Sequence, residues 1–217
     1  MKAELKNGAN WLATILFCIS LAVVLTLLGS YLLFPLDAAI YQVRQYWPIS
    51  AGALYHNFLQ LMAYLQLPWI GQLRLTDFPV SQSGAQHFAD VKQLFILAWI
   101  ILLVSVPFAV RFLHHIKKQG QEYRLLRPAQ IGFLLPLILA GLASLNFNQF
   151  FVTFHELFFR NQDWLFDPAQ DPIILVLPEE FFMHCFILAF VLFELLMISG
   201  WLVAHRSLKK LRATHDK

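Results

Sequence analysis

The chain reads as an all-α polytopic membrane protein: four transmembrane helices carrying, on one side, a cap of interfacial helix, loops and short strands. Three observations predict it. Of 217 residues, 59% are hydrophobic and only 13% charged, a balance foreign to ordinary soluble domains. Apolar runs long enough to cross a hydrocarbon core of about 30 Å occupy residues 11–34, 94–112, 129–153 and 181–204. Of the 16 lysines and arginines, only Arg44, Arg74, Lys92 and Arg160 fall in the intervening segments 35–93 and 154–180. The others flank the opposite ends of the runs, which places both termini in the cytoplasm and these two segments outside.

The first run is longer than a signal-peptide core and lacks a small-residue cleavage site after it, so it is expected to stay as an anchor. In the outer segment 35–93, Leu54, Phe58, Leu61 and Leu65 recur at helical spacing, Pro68 ends the pattern, and Tyr46, Trp47, Tyr64 and Trp69 flank it. Such a helix either lies in the membrane interface or packs on the bundle. Residues 70–86 mix alternating and turn-forming residues and read as short strands or a loop.

The second run is followed by a short cytoplasmic link, residues 113–128. Within the third run Pro136 should bend or open the helix, while Gly132 and Gly141 permit close approach. Asn146, Asn148, Gln149 and Thr153 gather near its outer end, and Asn148, Val152 and His155 stand at i, i+4 and i+7. A helix continuing to His155 would line a polar face leading to the imidazole; alternatively the asparagines bond a neighbouring helix. Pro168, Pro172 and Pro178 punctuate segment 154–180, and Glu194 inside the fourth run reads as a structural hydrogen-bonding group. With no internal repeat, residues 1–217 are read as a single integral membrane domain.

Charge and cysteine content exclude several functions. The net charge of +3 comes from basic residues flanking membrane runs, so it records topology and gives no case for a nucleic-acid partner. Cys18 and Cys185 both lie in apolar runs, away from any outer disulfide exchange. Paired histidines inside helices, as haem needs, are not found; His184 alone lies within a run. His114 and His115 read as a solvated cytoplasmic face.

Two polar strings remain. His87 and Asp90 are three residues apart just before the second run, so on a helix they share a face and the carboxylate can orient the ring. His155 and Glu156 stand just after the third run, followed by Asn161 and Trp164. A histidine at a water–lipid boundary can titrate near neutrality and move a proton beside a lipid ester, which suits acyl transfer. Less specific readings are helix caps, or a zinc or manganese site from His87, Asp90, His155 and Glu156, although neither string has metal-ligand spacing.

The residues carry a resemblance. His87-x-x-Asp90-Val91, then Phe154-His155-Glu156-x-Phe158-Phe159-x-Asn161-x-x-Trp164-x-Phe166-Asp167-Pro168, Asp171-Pro172-Ile173-Ile174 and Leu177-Pro178 resemble the bacterial lipoprotein intramolecular transacylases, the Lit family. The match covers motif positions, number of spans and topology; residues 35–86 do not contribute to it. It implies an enzyme of the bacterial cytoplasmic membrane, working on its extracytoplasmic side. That enzyme would move the sn-2 acyl chain of a diacylglyceryl-cysteine lipoprotein onto the cysteine's own α-amine and leave a lyso-form lipoprotein. Its partners would be a diacylated lipoprotein and membrane lipid, with no cofactor and no metal. His87 is then expected as base and His155 as partner acid or oxyanion donor, or the reverse. Asp90 and Glu156 would orient the rings, and Asn161 and Trp164 would face the substrate. The competing expectations are a non-enzymatic lipid- or protein-binding member of the same family and a metal-dependent membrane hydrolase.

Overall fold

The structure, a computed structural model, describes residues 2–215. Its helices are α1 (Lys2–Ile40), α2 (Ala51–Gln66), α3 (Gln82–Lys118), α4 (Leu126–Leu145), α5 (Phe147–Phe158) and α6 (Glu179–His215). No strand occurs among the described residues, so of residues 70–86 the stretch 70–81 takes the loop alternative, while 82–86 are neither strand nor loop but the first turn of α3. Stretches of α1, α3 and α6, and the segment Glu122–Gly141 that includes most of α4, are long and apolar enough to span a membrane, as an all-α polytopic protein requires. The helices overshoot the apolar runs because backbone bonding continues where side chains turn polar: α3 starts at Gln82, well ahead of residue 94.

The third run is not one helix. Asn146 leaves the helical region with φ −158° and ψ 94°, and its side chain accepts a hydrogen bond from the Gln149 backbone N–H, capping α5. An asparagine cap followed three residues later by glutamine is a helix-start pattern. The polar cluster at 146–153 therefore serves this restart: Asn148 and Gln149 are exposed, and the Thr153 hydroxyl donates to the Gln149 carbonyl at 2.8 Å.

The chain divides into two compact units. The first comprises Met1–Leu25, Trp99–Leu142 and Leu188–Lys217. Small residues make its closest approaches: Ala109 and Ala204 are fully buried, and a Cβ on Gly132 would meet the Met197 side chain. That is how membrane helices pack, since apolar burial alone does not separate helix from lipid. Leu103, Val104, Phe108, Leu134 and Ile138 instead point outward. Glu194 carries both carboxylate oxygens buried with no hydrogen-bond partner among the described residues, so the helix-to-helix bond expected for it is not made.

The second unit, Thr26–Ala98 and Ala143–Ile187, has an aromatic core. Phe34 and Phe58 stack at 4.0 Å, and Phe181 meets both edge-on. The helix expected from the spacing of Leu54, Phe58, Leu61 and Leu65 is α2, started by Ser50, whose hydroxyl accepts from Ala53 N–H. Its Leu54, Phe58, Leu61 and Leu65 are buried in this core, so that face packs on protein. Asn57 is fully buried and pins the following loop: it donates to the Asp77 carboxylate at 2.5 Å and accepts from the Asp77 N–H at 3.0 Å. Lys92 reaches the Ile70 carbonyl and lies over the Tyr64 ring, holding the same loop to the start of α3.

Candidate active site

Within the second unit the two predicted histidines meet. His87 sits in the second turn of α3 and His155 in the last turn of α5; their ring centroids are 5.7 Å apart with planes inclined by 38°. Both are buried, at 5% and 8% exposure. Phe159 packs edge-on to His87 at 4.9 Å and lies 5.5 Å from His155, while Phe166 meets His87 edge-on at 5.5 Å. Phe151 and Trp164 lie 4.1 and 5.0 Å from His155. Two imidazoles thus share one aromatic box.

Hydrogen bonding distinguishes them. The Nδ1–H of His155 donates to the Phe151 carbonyl at 2.7 Å, since a carbonyl can only accept. In the neutral ring this leaves Nε2 with the free lone pair. Burial pushes the His155 imidazole below its ordinary 6.5, and the Phe151 bond, which favours the charged ring, opposes that without reversing it. The Nδ1 of His87 is buried without a hydrogen-bond partner among the described residues.

The neighbouring polar residues are placed differently from the orienting and donor roles expected of them. Asp90 makes no hydrogen bond to His87; its Oδ1 accepts from Gln86 at 2.9 Å and its Oδ2 from the Asn161 amide at 2.9 Å. A carboxylate on the same helix still favours positive charge on His87 through space. Asn161 also accepts from the Asp163 N–H, and its carbonyl takes the Trp164 indole N–H at 3.1 Å, so that indole donor is engaged within the loop. Glu156 is exposed and lies about 100° round α5 from His155. Among the described residues no three histidine, cysteine, aspartate or glutamate side chains converge as metal ligands.

Two further arrangements escaped the sequence reading. Asp171, only 1% exposed, accepts both the backbone N–H and the hydroxyl of Ser81, at 2.7 and 2.6 Å. The Ser81 hydroxyl in turn accepts from Gly84 N–H, which fixes the start of α3 one turn before His87. A Cβ at Gly84 would collide with the Asp171 carboxylate. Elsewhere in the unit, the buried Asp37 accepts from His184 Nδ1 at 2.9 Å, and its second oxygen has no partner among the described residues. An ionisable residue in an apolar helix is the signal that could have flagged this pair.

The sequence profile described as Lipoprotein intramolecular transacylase Lit matches residues 9–182. The chain belongs to the Lit family. Solved structures agree with that membership. The membrane integral lipoprotein intramolecular transacylase Lit from Bacillus cereus superposes with a TM-score of 0.87 at 26% identity, covering 97% of this chain and 99% of that one. Two forms of the same Bacillus cereus protein, with a histidine replaced by arginine or by alanine, superpose with TM-scores of 0.75 and 0.79. Each is 26% identical and covers 98% of this chain, and they are matched over 98% and 97% of their own length. No curated protein matches the chain at a significant level. The Lit fold here is a membrane-integral helical one, and its histidine-bearing strings lie inside the matched region.

Proposed function

We propose that this Lit family member moves the sn-2 acyl chain of a diacylglyceryl-cysteine lipoprotein onto the α-amine of the same cysteine. The paired, buried imidazoles of His87 and His155 are the observation that carries the reading. Donor ester and acceptor amine belong to one molecule, so the protein's work is orientation and proton traffic; well-oriented intramolecular reaction is worth about 7–11 kcal/mol.

An α-amine has a pKa of about 8 and is largely protonated near neutrality. It must lose one proton before attack and a second as the C–N bond forms, while the departing glyceryl oxygen must gain one. The locked tautomer supports His155 Nε2 as the base that takes the amine proton and returns it to that oxygen. A proton gained at Nε2 leaves Nδ1–H bonded to the Phe151 carbonyl, which stabilises the imidazolium. His87, with an unpartnered Nδ1, suits the complementary part: a neutral ring donating from Nε2 to the oxyanion. This reverses the first-choice assignment drawn from sequence. Asp90 acts through Asn161, positioning the loop that carries Trp164 and Phe166. Both termini lie in the cytoplasm and the histidines on the opposite side, as the distribution of basic residues supports.

The test is mass spectrometry of the N-terminal lipopeptide of a diacylated lipoprotein co-expressed with the wild-type chain or with His87→Ala or His155→Ala. An N-acyl, mono-O-acyl product from wild type alone, with both variants folded, supports the reading. Unchanged diacyl lipoprotein with wild type would refute it.

A further inference from the structure

The first unit contains a cavity of about 500 Å³ lined by Trp11, Tyr123, Arg124, Arg127, Pro128 and Leu208, with Leu126 at its side. It lies where the first turns of the membrane-crossing part of α1, the start of α4 and the last turns of α6 come together. Trp11 packs edge-on to Phe112 of α3 at 4.9 Å, and the Ser207 hydroxyl of α6 donates to Glu122, so the walls are built rather than incidental. Among the described residues two cations line the cavity and no carboxylate does.

Neutral groups hold the first of these cations. The Arg124 guanidinium stands 6.0 Å from the Trp11 ring centroid and donates to the Gln121 side-chain carbonyl at 3.1 Å. Arg127 is exposed. Neither forms an ion pair with a carboxylate among the described residues. Two guanidiniums in a partly apolar cavity, with no counter-charge among the described residues, suit an anion, and each is a planar fork that matches phosphate oxygens in pairs. Trp11 and Tyr123 are the residue types that sit at headgroup depth. Arg206, Lys209, Lys210 and Arg212 of α6 and Lys117 and Lys118 of α3 mark the same helix ends as the basic ones, where an anionic leaflet is attracted.

We propose that this cavity binds the phosphodiester headgroup of an anionic membrane phospholipid, Arg124 and Arg127 gripping the phosphate and Trp11 and Leu208 the glycerol and upper acyl carbons. The inference is independent of the transfer chemistry assigned to the second unit. It commits to membrane lipid as the source of the phosphate.

The experiment uses the full-length protein in detergent, titrated with short-chain phosphatidylglycerol, short-chain phosphatidylcholine and inorganic phosphate, with bound lipid counted by native mass spectrometry. Phosphatidylglycerol should bind in preference to phosphatidylcholine. Arg127→Gln should weaken that binding about fivefold, the effect of about 1 kcal/mol per basic residue near an anionic surface, and Arg124→Gln with Arg127→Gln should remove the preference. Arg127→Lys, which keeps the charge and disturbs packing least, should retain most of it. Equal binding of the two lipids, or a preference unchanged in the double variant, overturns the proposal. So does competition by inorganic phosphate as effective as by the lipid, which would make this a free-phosphate site.

Discussion

The His155 ring is tied by its Nδ1–H to the carbonyl of Phe151, one turn earlier on the same short helix, at 2.7 Å, so the nitrogen that faces away from the helix is the one left to exchange protons. Asn146 starts that helix, and the length from Asn146 to Phe158 sets where the free nitrogen lies against His87. A base with a fixed tautomer needs no reorganisation when its proton arrives.

The pH dependence follows in sign from burial. Because His155 titrates below 6.5, its basic form persists on the acid side of neutrality. Transfer should rise with pH as the substrate amine loses its proton toward about 8, with the loss due to enzyme protonation confined to below pH 6.5. Rates measured from pH 4.5 to 9 on a preformed lipopeptide check this; an acid limb centred above 7 that His155→Gln abolishes would contradict it.

The same shift predicts stability. With the folded pKa below the unfolded one, folding excludes a proton, so stability is complete above about pH 6.5 and declines as pH falls from there through the folded pKa. Thermal unfolding in detergent should give a falling Tm over that window, and His155→Gln should flatten the slope.

Asp90→Ala should lower kcat by about tenfold or more and cost roughly 1.5–3 kcal/mol, as loss of a hydrogen bond to a charged group does, by freeing Asn161 and its loop. Asp90→Asn retains one acceptor oxygen, so it should recover part of the stability. Comparing kcat with KM in both variants separates positioning of the loop from a direct part in binding, which would move KM alone.

How much of this was legible beforehand depends on range. The fold class followed from apolar runs, because spanning a bilayer is a local demand on about 20 residues. The histidines stood out because each interrupts such a run's edge in a polar string. Their 5.7 Å encounter, the Asp90–Asn161 bond across 71 positions and the Asp37–His184 bond across 147 depend on how helices pack, which periodicity does not encode. The break at Asn146 was local and readable; the cap followed by Gln149 was there to see, but hydropathy carried the helix straight through it.

Gly84→Ala should destabilise the protein by about 1–3 kcal/mol, the usual consequence of forcing a carbon into filled space, since its Cβ would run into Asp171 and stand 3.0 Å from the Phe166 ring. Gly71→Ala, with nothing within 4 Å, should stay within about 0.5 kcal/mol of wild type. Equal Tm values for the two variants would show that α3 can shift to admit the methyl.

His184→Ala should be more harmful than His184→Ala combined with Asp37→Ala, because the single change strands a buried carboxylate with neither oxygen bonded while the double change removes it. A double-mutant cycle on thermal stability reads the coupling.

The loop after α5 is stitched to the start of α3 twice, by Asn161 on Asp90 and by Asp171 on Ser81. One stitch lies just past His155 in the chain and the other just ahead of His87, so neither ring can wander without loosening a polar seam. Damage at this site should therefore be shared: a chain caught by a protease or by hydrogen exchange with one seam open would have loosened the spacing of both rings together. Partially damaged copies should show up as slower ones rather than as enzymes with a relaxed choice of substrate.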